Sequence, residues 1–447
     1  MINKNDLTEG NITQKLVFIS LPVIATQFMQ MAYTIIDMFW LGLVSEDAVA
    51  ASGTAGMYLW LSAAFMLVGQ MGTSIGVSQS IGRGDRKEAE RFTESAFGIA
   101  IALGIIVAAI FAVFREPLIG FFQIREASVA LMAQDYLLIV SPFVPMWFVA
   151  GVITACYIAS GDAKTPFFVN GLGLGLNILF DPLFIFTFGW GIKGAAAASI
   201  AAQGIALAVF IYCLKFSKSR PFSHIRILTR PNPVLARQIF AWALPVSAES
   251  FTFTVLSMMI ARLIAEWGAS ALAVIRVGEQ MESLSWGIGT GFAAAVTAFV
   301  GQNYGALKWK RIHKGVGVAT AIMSCWGIMV SALLFFAAEP LMGLFLNEPE
   351  TIRIGVSYLR IVALSQVPLC LEFVAAGAFR GVGRTLPPTI ASIGTNVSRL
   401  ALAHYLAGTA LGLDGIWWAI AIGSAARGIW MFAWYLIYAR KLPKENP

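Results

Sequence analysis

Two halves of this chain follow one plan, repeated at a constant spacing of about half its length, and both plans are those of membrane-spanning helices. Leu21-Pro22-Val23 returns as Leu244-Pro245-Val246. Ala48 and Ala50 return as Ala271 and Ala273, Gln79 as Gln302, and Gly82 as Gly305. Further on the spacing slips by one, so that Gly161 and Pro166 answer to Gly383 and Pro388. An apolar chain duplicated in this way fits a carrier that rocks one bundle against another around a central site.

The helical expectation rests on the solvent. The chain is 58% hydrophobic and only 12% charged, about half the charged share of a soluble domain. Lipid offers the backbone no hydrogen bonds, so spanning segments are helices or closed barrels. The short alternating segments of a barrel are absent. Twelve apolar stretches of bilayer length are expected near 15–42, 47–80, 92–115, 130–158, 163–188 and 190–216, then 236–266, 269–301, 313–337, 355–380, 385–410 and 413–440. The joints are short and leave no room for a soluble catalytic domain.

Charge is distributed by side rather than by surface. Arg83, Arg86, Lys87 and Arg91 fill one joint; Lys215, Lys218, Arg220, Arg226, Arg230 and Arg237 another; Lys308, Lys310, Arg311 and Lys314 a third. Lys4 and Lys15 at one end, and Arg440, Lys441 and Lys444 at the other, belong with them. The alternate joints carry Glu46, Asp47, Glu116, Glu126, Glu339, Glu348, Glu350 and Asp414. This positive-inside bias places both termini in the cytoplasm of a multi-pass protein of the cytoplasmic (inner) membrane. It also explains the net charge of +7 without nucleic acid as a partner.

Other chemistries find little support. No cleavage pattern follows the first apolar run, so it is not a signal peptide. Cys156, Cys213, Cys325 and Cys370 form no C-x-x-C pair, and His224, His313 and His404 are too scattered for a metal cluster. Gly171, Gly173 and Gly175 suit close helix packing better than a phosphate loop. No G-x-x-x-x-G-K-[ST] motif is present, so any uphill transport would draw on an ion gradient. An enzyme is not expected, nor is a bound cofactor beyond transported H⁺ or Na⁺.

The Pro-bearing polar stretch around Lys215–Arg237 separates the halves. The expected fold is all-α: twelve transmembrane helices in two six-helix lobes, related by a pseudo-two-fold axis along the membrane normal. The lobes are placed at residues 1–217 and 237–447, joined by a cytoplasmic linker at 218–236. The protein is expected to work as a monomer in the lipid bilayer.

Ionisable groups inside spans are the informative ones, because an acid at a helix centre costs about 2.5–3.5 kcal/mol unless a cavity or partner receives it. Asp37 and Asp181 are such groups in the first half. Asn177 lies four residues before Asp181, on the same helix face, and Pro182 frees a carbonyl nearby. If the two acids share a pocket, a proton or a transient Na⁺ at Asp37, Asn177 and Asp181 would relieve their repulsion. The alternative is that both acids sit at span ends in the interface. The second half holds Glu249, Arg262, Glu266, Arg276, Glu279, Glu282, Glu372, Arg399 and Arg427. Arg276, Glu279 and Glu282 share one helix stripe, where ion pairing and a substrate role are both open. Arg262 and Glu266 suit a structural role near a span end.

At these residues the chain resembles the multidrug and toxic compound extrusion (MATE) family. The resemblance runs over nearly all of it. It is carried by Leu7-Thr8-Glu9-Gly10 with Leu21-Pro22, by Asp37 to Gly42, and by Gln79 to Gly82 with its echo Gln302 to Gly305. Gly161-Asp162-Ala163-Lys164-Thr165-Pro166, Asn177 to Pro182, and Arg380-Gly381-Val382-Gly383-Arg384-Thr385 complete it. The resemblance is nearer the DinF-type branch, whose acidic site lies in the N-terminal lobe. It implies exchange of cations for toxic, often cationic and aromatic compounds. It also implies a coupling cluster at Asp37, Tyr136, Thr154, Asn177, Asp181 and Ser199. Thr154 stands where Asn is common and Ser199 where Thr is common. In another branch the coupling acids lie in the C-terminal lobe. Glu249 sits about a turn before, and Glu372 about a turn after, that branch's positions.

The expected substrate lining is aromatic and methionine-rich: Tyr33, Met57, Trp60, Met66, Trp147, Phe253 and Met281. The function expected is an H⁺- or Na⁺-coupled antiporter that exports amphiphilic, often cationic compounds. A flippase of lipid-linked precursors is the rival within transport, since Arg262, Arg276, Arg399 and Arg427 would suit a pyrophosphate.

Overall fold

The computed structural model describes residues 6–124, 126–217 and 220–443. Lys4, Lys218 and Lys444, counted in the charge pattern, lie outside the described residues. All regular structure among the described residues is helical. The first-half helices are α1 (Ile12–Gly42), α2 (Glu46–Gly82), α3 (Arg86–Val113), α4 (Arg115–Gly120), α5 (Ala127–Val140), α6 (Phe143–Ala159), α7 (Lys164–Pro182) and α8 (Gly191–Phe216). The second half holds α9 (Pro233–Ala265), α10 (Ala269–Gly305), α11 (Trp309–Phe336), α12 (Ala338–Gly343), α13 (Pro349–Ala363), α14 (Gln366–Gly381), α15 (Leu386–Ala407) and α16 (Leu413–Ala439).

The repeat in the sequence is a repeat of helix bounds. α2 and α10 each run 37 residues, α3 and α11 each 28, α4 and α12 each 6, and the three pairs start at one common spacing. For α5 and α13, which begin at Ala127 and Pro349, and for α7 and α15, at Lys164 and Leu386, that spacing is shorter by one.

Nine helices among the described residues are long and apolar enough to cross a membrane, and two bent pairs pass together, which makes a multi-pass membrane protein. The expected continuous spans at 130–158 and 355–380 are each broken. α5 and α6 meet at 50°, α13 and α14 at 47°. At the first break Pro142 and Pro145 cannot donate to the helix ladder. At the second, the amides of Leu364 and Ser365 reach back only three residues, to Ile361 and Val362, which tightens the turn. The short helices α4 and α12 were not expected either. They are too brief to register as spans. α15, placed where the eleventh span is expected, is 22 residues long and carries Asn396, Arg399 and His404. Those polar groups keep it outside the hydropathy count.

The chain divides into two compact units: Leu21–Ser247, and Leu7–Ser20 together with the residues from Ala248 onward. The first unit packs around Phe92, Phe97, Phe148, Tyr157 and Phe210, all fully buried. Among the described residues the stretch between Phe216 and Pro233 has no helix, and it meets α3. There the Arg226 amide donates to Glu94 Oε1 (3.0 Å) and the Asn232 amide to Ser95 Oγ (3.2 Å).

In the second unit Tyr358 meets Trp417 edge to face at 4.9 Å. The segment Leu7–Gly10 is tied there by backbone carbonyls. Arg311 donates to Leu7 O, Glu9 O and Gly10 O at 2.8–3.1 Å, and Lys308 Nζ to Thr8 O at 2.9 Å. Gln302 Oε1 accepts from the Leu7 amide (3.1 Å). The sequence motifs at 7–10 and 302–305 therefore meet in space.

Candidate functional site

Five helices of the first unit supply the predicted coupling residues. α1 brings Asp37, α5 Tyr136, α6 Thr154, α7 Asn177 and Asp181, and α8 Ser199; α1 also carries Tyr33, expected in the substrate lining. α7 is suited to holding an acid at its end. Pro182 interrupts the ladder just after Asp181, and the chain continues as one π-type turn, Leu183–Thr187, closed by the Phe188 amide on Leu183 O at 3.0 Å. Such turns loosen the local backbone and recur at functional sites. At the other end, Asp162 anchors α7 by accepting from the amides of Lys164 (3.0 Å) and Thr165 (3.1 Å).

Asn177 and Asp181 are both 0% exposed. Asn177 Nδ2 donates to Asp181 Oδ1 at 3.1 Å, the i, i+4 contact expected from their spacing. Tyr33 donates to Ser199 Oγ at 2.8 Å, and Gln203 on α8 lies within reach of the same phenol. Asp37 is close enough to Asp181 for the two charges to interact, and Tyr33 and Tyr136 stand within electrostatic range of both. Thr154 is half-buried on α6 and makes no hydrogen bond into this group among the described residues.

Three buried oxygens here have no hydrogen-bond partner: Asp37 Oδ1, Asn177 Oδ1 and Asp181 Oδ2. Among the described residues no Lys, Arg or His forms an ion pair with either acid. An unpaired acceptor in such a place costs about 1–3 kcal/mol, more when charged. The arrangement therefore leaves three buried acceptors without a donor.

The acids of the second unit are differently placed. Glu372 is held by Arg427 Nε at 2.7 Å, with Arg427 only 3% exposed. Glu249 faces Arg380 at 3.9 Å. Glu282 accepts from the Tyr358 hydroxyl. Arg276 and Glu279 pair at 3.3 Å on an exposed face, so the stripe of three splits: two members pair with each other and the third turns to Tyr358. Arg262 and Glu266 are exposed at and beyond the end of α9.

The expected lining residues fall into two groups. Met57 and Trp60 are exposed on α2, and Phe253 stacks obliquely on Trp286 at 5.4 Å. Met66 packs against Gly151 and Met281 against the second unit's core, so both fill interior space. Sequence reasoning missed Tyr358, Gln203 and Trp286. Tyr358 had a signal, since it answers to Tyr136 at the repeat's own spacing.

A multi-pass helical protein with two repeated units and a buried cluster of acids is the form of a membrane carrier. The chain belongs to the MATE family, whose MatE description matches residues 22–183 and again 245–405. It is similar to the probable multidrug resistance protein NorM of Thermotoga maritima, 28% identical over 412 residues, covering 91% of this chain and 88% of that one. The FAD transporter of Shewanella oneidensis is 24% identical, covering 93% and 92%. A crystal structure of MATE in complex with MaD3S superposes with a TM-score of 0.92 across 100% of both chains, at 22% identity. That agreement shows the twelve-helix, two-lobe fold, in which α15 is the eleventh span.

Proposed function

We propose that this protein is a secondary antiporter that exports amphiphilic compounds while H⁺ or Na⁺ enters at Asp37, Asn177 and Asp181. The observation that carries the reading is the set of three partnerless oxygens on two neighbouring acids and the amide between them. A proton would neutralise one carboxylate, and a sodium ion would satisfy all three oxygens, being a hard cation with a preference for oxygen ligands. Tyr33, Tyr136 and Ser199 frame the group. An acidic site in the first lobe sides with the DinF-type branch. Occupation of the site by a cation favours one arrangement of the carrier, and cargo favours the other. Each ligand thus shifts the same equilibrium, by its differential affinity alone.

Relatives are named both for drugs and for FAD, so cargo class depends on this chain's own residues. Nothing in the site supplies a nucleophile with its base, and transport rather than catalysis is the activity assigned. Both termini lie on the cytoplasmic side, following the bias of Lys and Arg.

The test is export of ethidium from proteoliposomes under an imposed proton gradient or an imposed Na⁺ gradient. Wild type is compared with Asp37→Asn and Asp181→Asn. Export that follows one gradient and fails in both variants supports the proposal and identifies the ion. Undiminished export in both variants removes the first-lobe site from coupling.

A further inference from the structure

The second unit carries a buried cation that its own acids do not contact. Arg399, on α15, is 8% exposed, and its Nε has no hydrogen-bond partner. It forms no ion pair among the described residues. The nearby carboxylates are already held, Glu372 by Arg427 and Glu282 by Tyr358. They lie within electrostatic range of Arg399 without bonding to it. The guanidinium instead sits over the Phe253 ring, 5.8 Å from its centroid. Phe253 adjoins Trp286 at 5.4 Å, and Trp286 meets the edge of Phe373 at 5.8 Å. A desolvated guanidinium is costly to hold without an anion. The five donors of its planar fork match a carboxylate, sulfonate or phosphate.

The repeat gives an independent reason to single out this position. At the spacing that relates α7 to α15, Arg399 is the counterpart of Asn177, and Tyr358 that of Tyr136. The counterparts of Asp37 and Asp181 are Ile260 and Ala403. The place that gathers acids in the first unit thus gathers a guanidinium in the second.

We infer that Arg399, with the Phe253 and Trp286 rings, forms a binding site for the anionic group of a flat aromatic compound. Cargo would then include aromatic acids and zwitterions, not only cations. The inference deepens the antiporter reading and rests on it for the word cargo, but the binding site stands on its own geometry.

Binding of fluorescein, an aromatic dianion, to the full-length protein in nanodiscs tests it by fluorescence anisotropy, with ethidium as the cationic comparator and empty nanodiscs subtracted. No gradient is applied, so the result does not depend on whether ion coupling exists. Arg399→Gln is expected to weaken fluorescein binding about tenfold to a hundredfold more than ethidium binding, the range for a lost charged hydrogen bond. Arg399→Lys is expected to recover part of the loss, keeping the charge without the fork. Should Arg399→Gln fail to fold, Phe253→Ala removes the ring alone and is expected to weaken fluorescein selectively. Absence of fluorescein binding by the wild type overturns the inference. Equal weakening of both dyes overturns it too, because that pattern belongs to a structural role.

Discussion

The two lobes of this protein share most of their helix bounds and differ in what they do with buried charge. In the first lobe, acids gather with acceptors left over: Asp37, Asn177 and Asp181 have oxygens with no donor. In the second, Glu372 is closed on Arg427, Glu249 stands 3.9 Å from Arg380 with its Oε2 outside any hydrogen bond, Glu282 accepts from Tyr358, and Arg399 keeps a partnerless Nε. Like scaffolds thus differ in whether arginines stand beside the buried acids. An interior charge that is paired contributes specificity or stability, whereas one that is unpaired is kept at a cost and points to a ligand. On the antiporter reading proposed above, a cation enters at the first lobe and the paired acids of the second serve the structure.

The strongest test of this division is thermal. Glu372→Ala strands Arg427 at 3% exposure and is expected to cost about 3–5 kcal/mol, seen as a large fall in melting temperature of the solubilised protein. Removing both partners, as Glu372→Leu with Arg427→Leu, is expected to recover most of the loss. Asp181→Ala removes a carboxylate whose one hydrogen bond is from Asn177 and is expected to leave the melting temperature near the wild-type value. Equal destabilisation by the two single variants would break the comparison.

A second test moves the charge of one lobe into the other. Asn177→Arg places a guanidinium at the first-lobe position matching Arg399, one helical turn from Asp181. The built-in cation would fill the site proposed for a mobile one. Gradient-driven ethidium export is expected to fall about tenfold or more, on the scale of ordinary coupling free energies. Export at wild-type rates would mean that Asp181 does not bind the coupling ion.

The lobes were legible in the sequence because each apolar run is fixed by the bilayer and each repeat mark recurs at a fixed spacing. The pairing of Asn177 with Asp181 was legible for a local reason: residues four apart on a helix must meet. What lay beyond reach was tertiary or fine-grained. Hydropathy runs unbroken through Ser141 and Leu364, so the two bends were hidden. The meeting of Asp37 with α7 depends on how α1 packs, and no spacing encodes it. Tyr136 and Ser199 entered only through family resemblance. Arg399 was visible as a basic residue, yet its lack of a partner depends on where Glu282 and Glu372 point. Tyr358 could have been found by extending the repeat from Tyr136.

The likeness of the scaffolds can be tested separately from their charges. Gly194 and Gly415 each stand near the start of the last helix of a lobe. A Cβ on either would lie 2.5 Å from a backbone oxygen, that of Phe184 or of Leu406. Backbone cannot give way as a side chain does. Gly194→Ala and Gly415→Ala are therefore each expected to cost about 1–3 kcal/mol, and by similar amounts, in melting experiments on the solubilised protein. A large cost in one and none in the other would show that the equivalence of the lobes fails at this end.

The smallest expected effect comes from the turn after the long second helix of each lobe. Gly84 and Leu307 are repeat counterparts, and both adopt positive φ, +79° and +55°. Glycine takes that conformation freely, whereas leucine crowds its Cβ against the next carbonyl at a cost of roughly 1 kcal/mol. Leu307 tolerates it because the Lys308 amide still closes the turn on Asn303 O at 2.9 Å, as Asp85 does on Ser80 O at 3.0 Å. Leu307→Gly is expected to relieve that strain, though added freedom in the unfolded chain offsets part of the gain. The net change should be a rise of no more than about 1 kcal/mol, and Gly84→Leu should lower stability by a similar amount. A loss on Leu307→Gly would mean that the leucine side chain is itself gripped by its surroundings, and that the two turns are alike in backbone only.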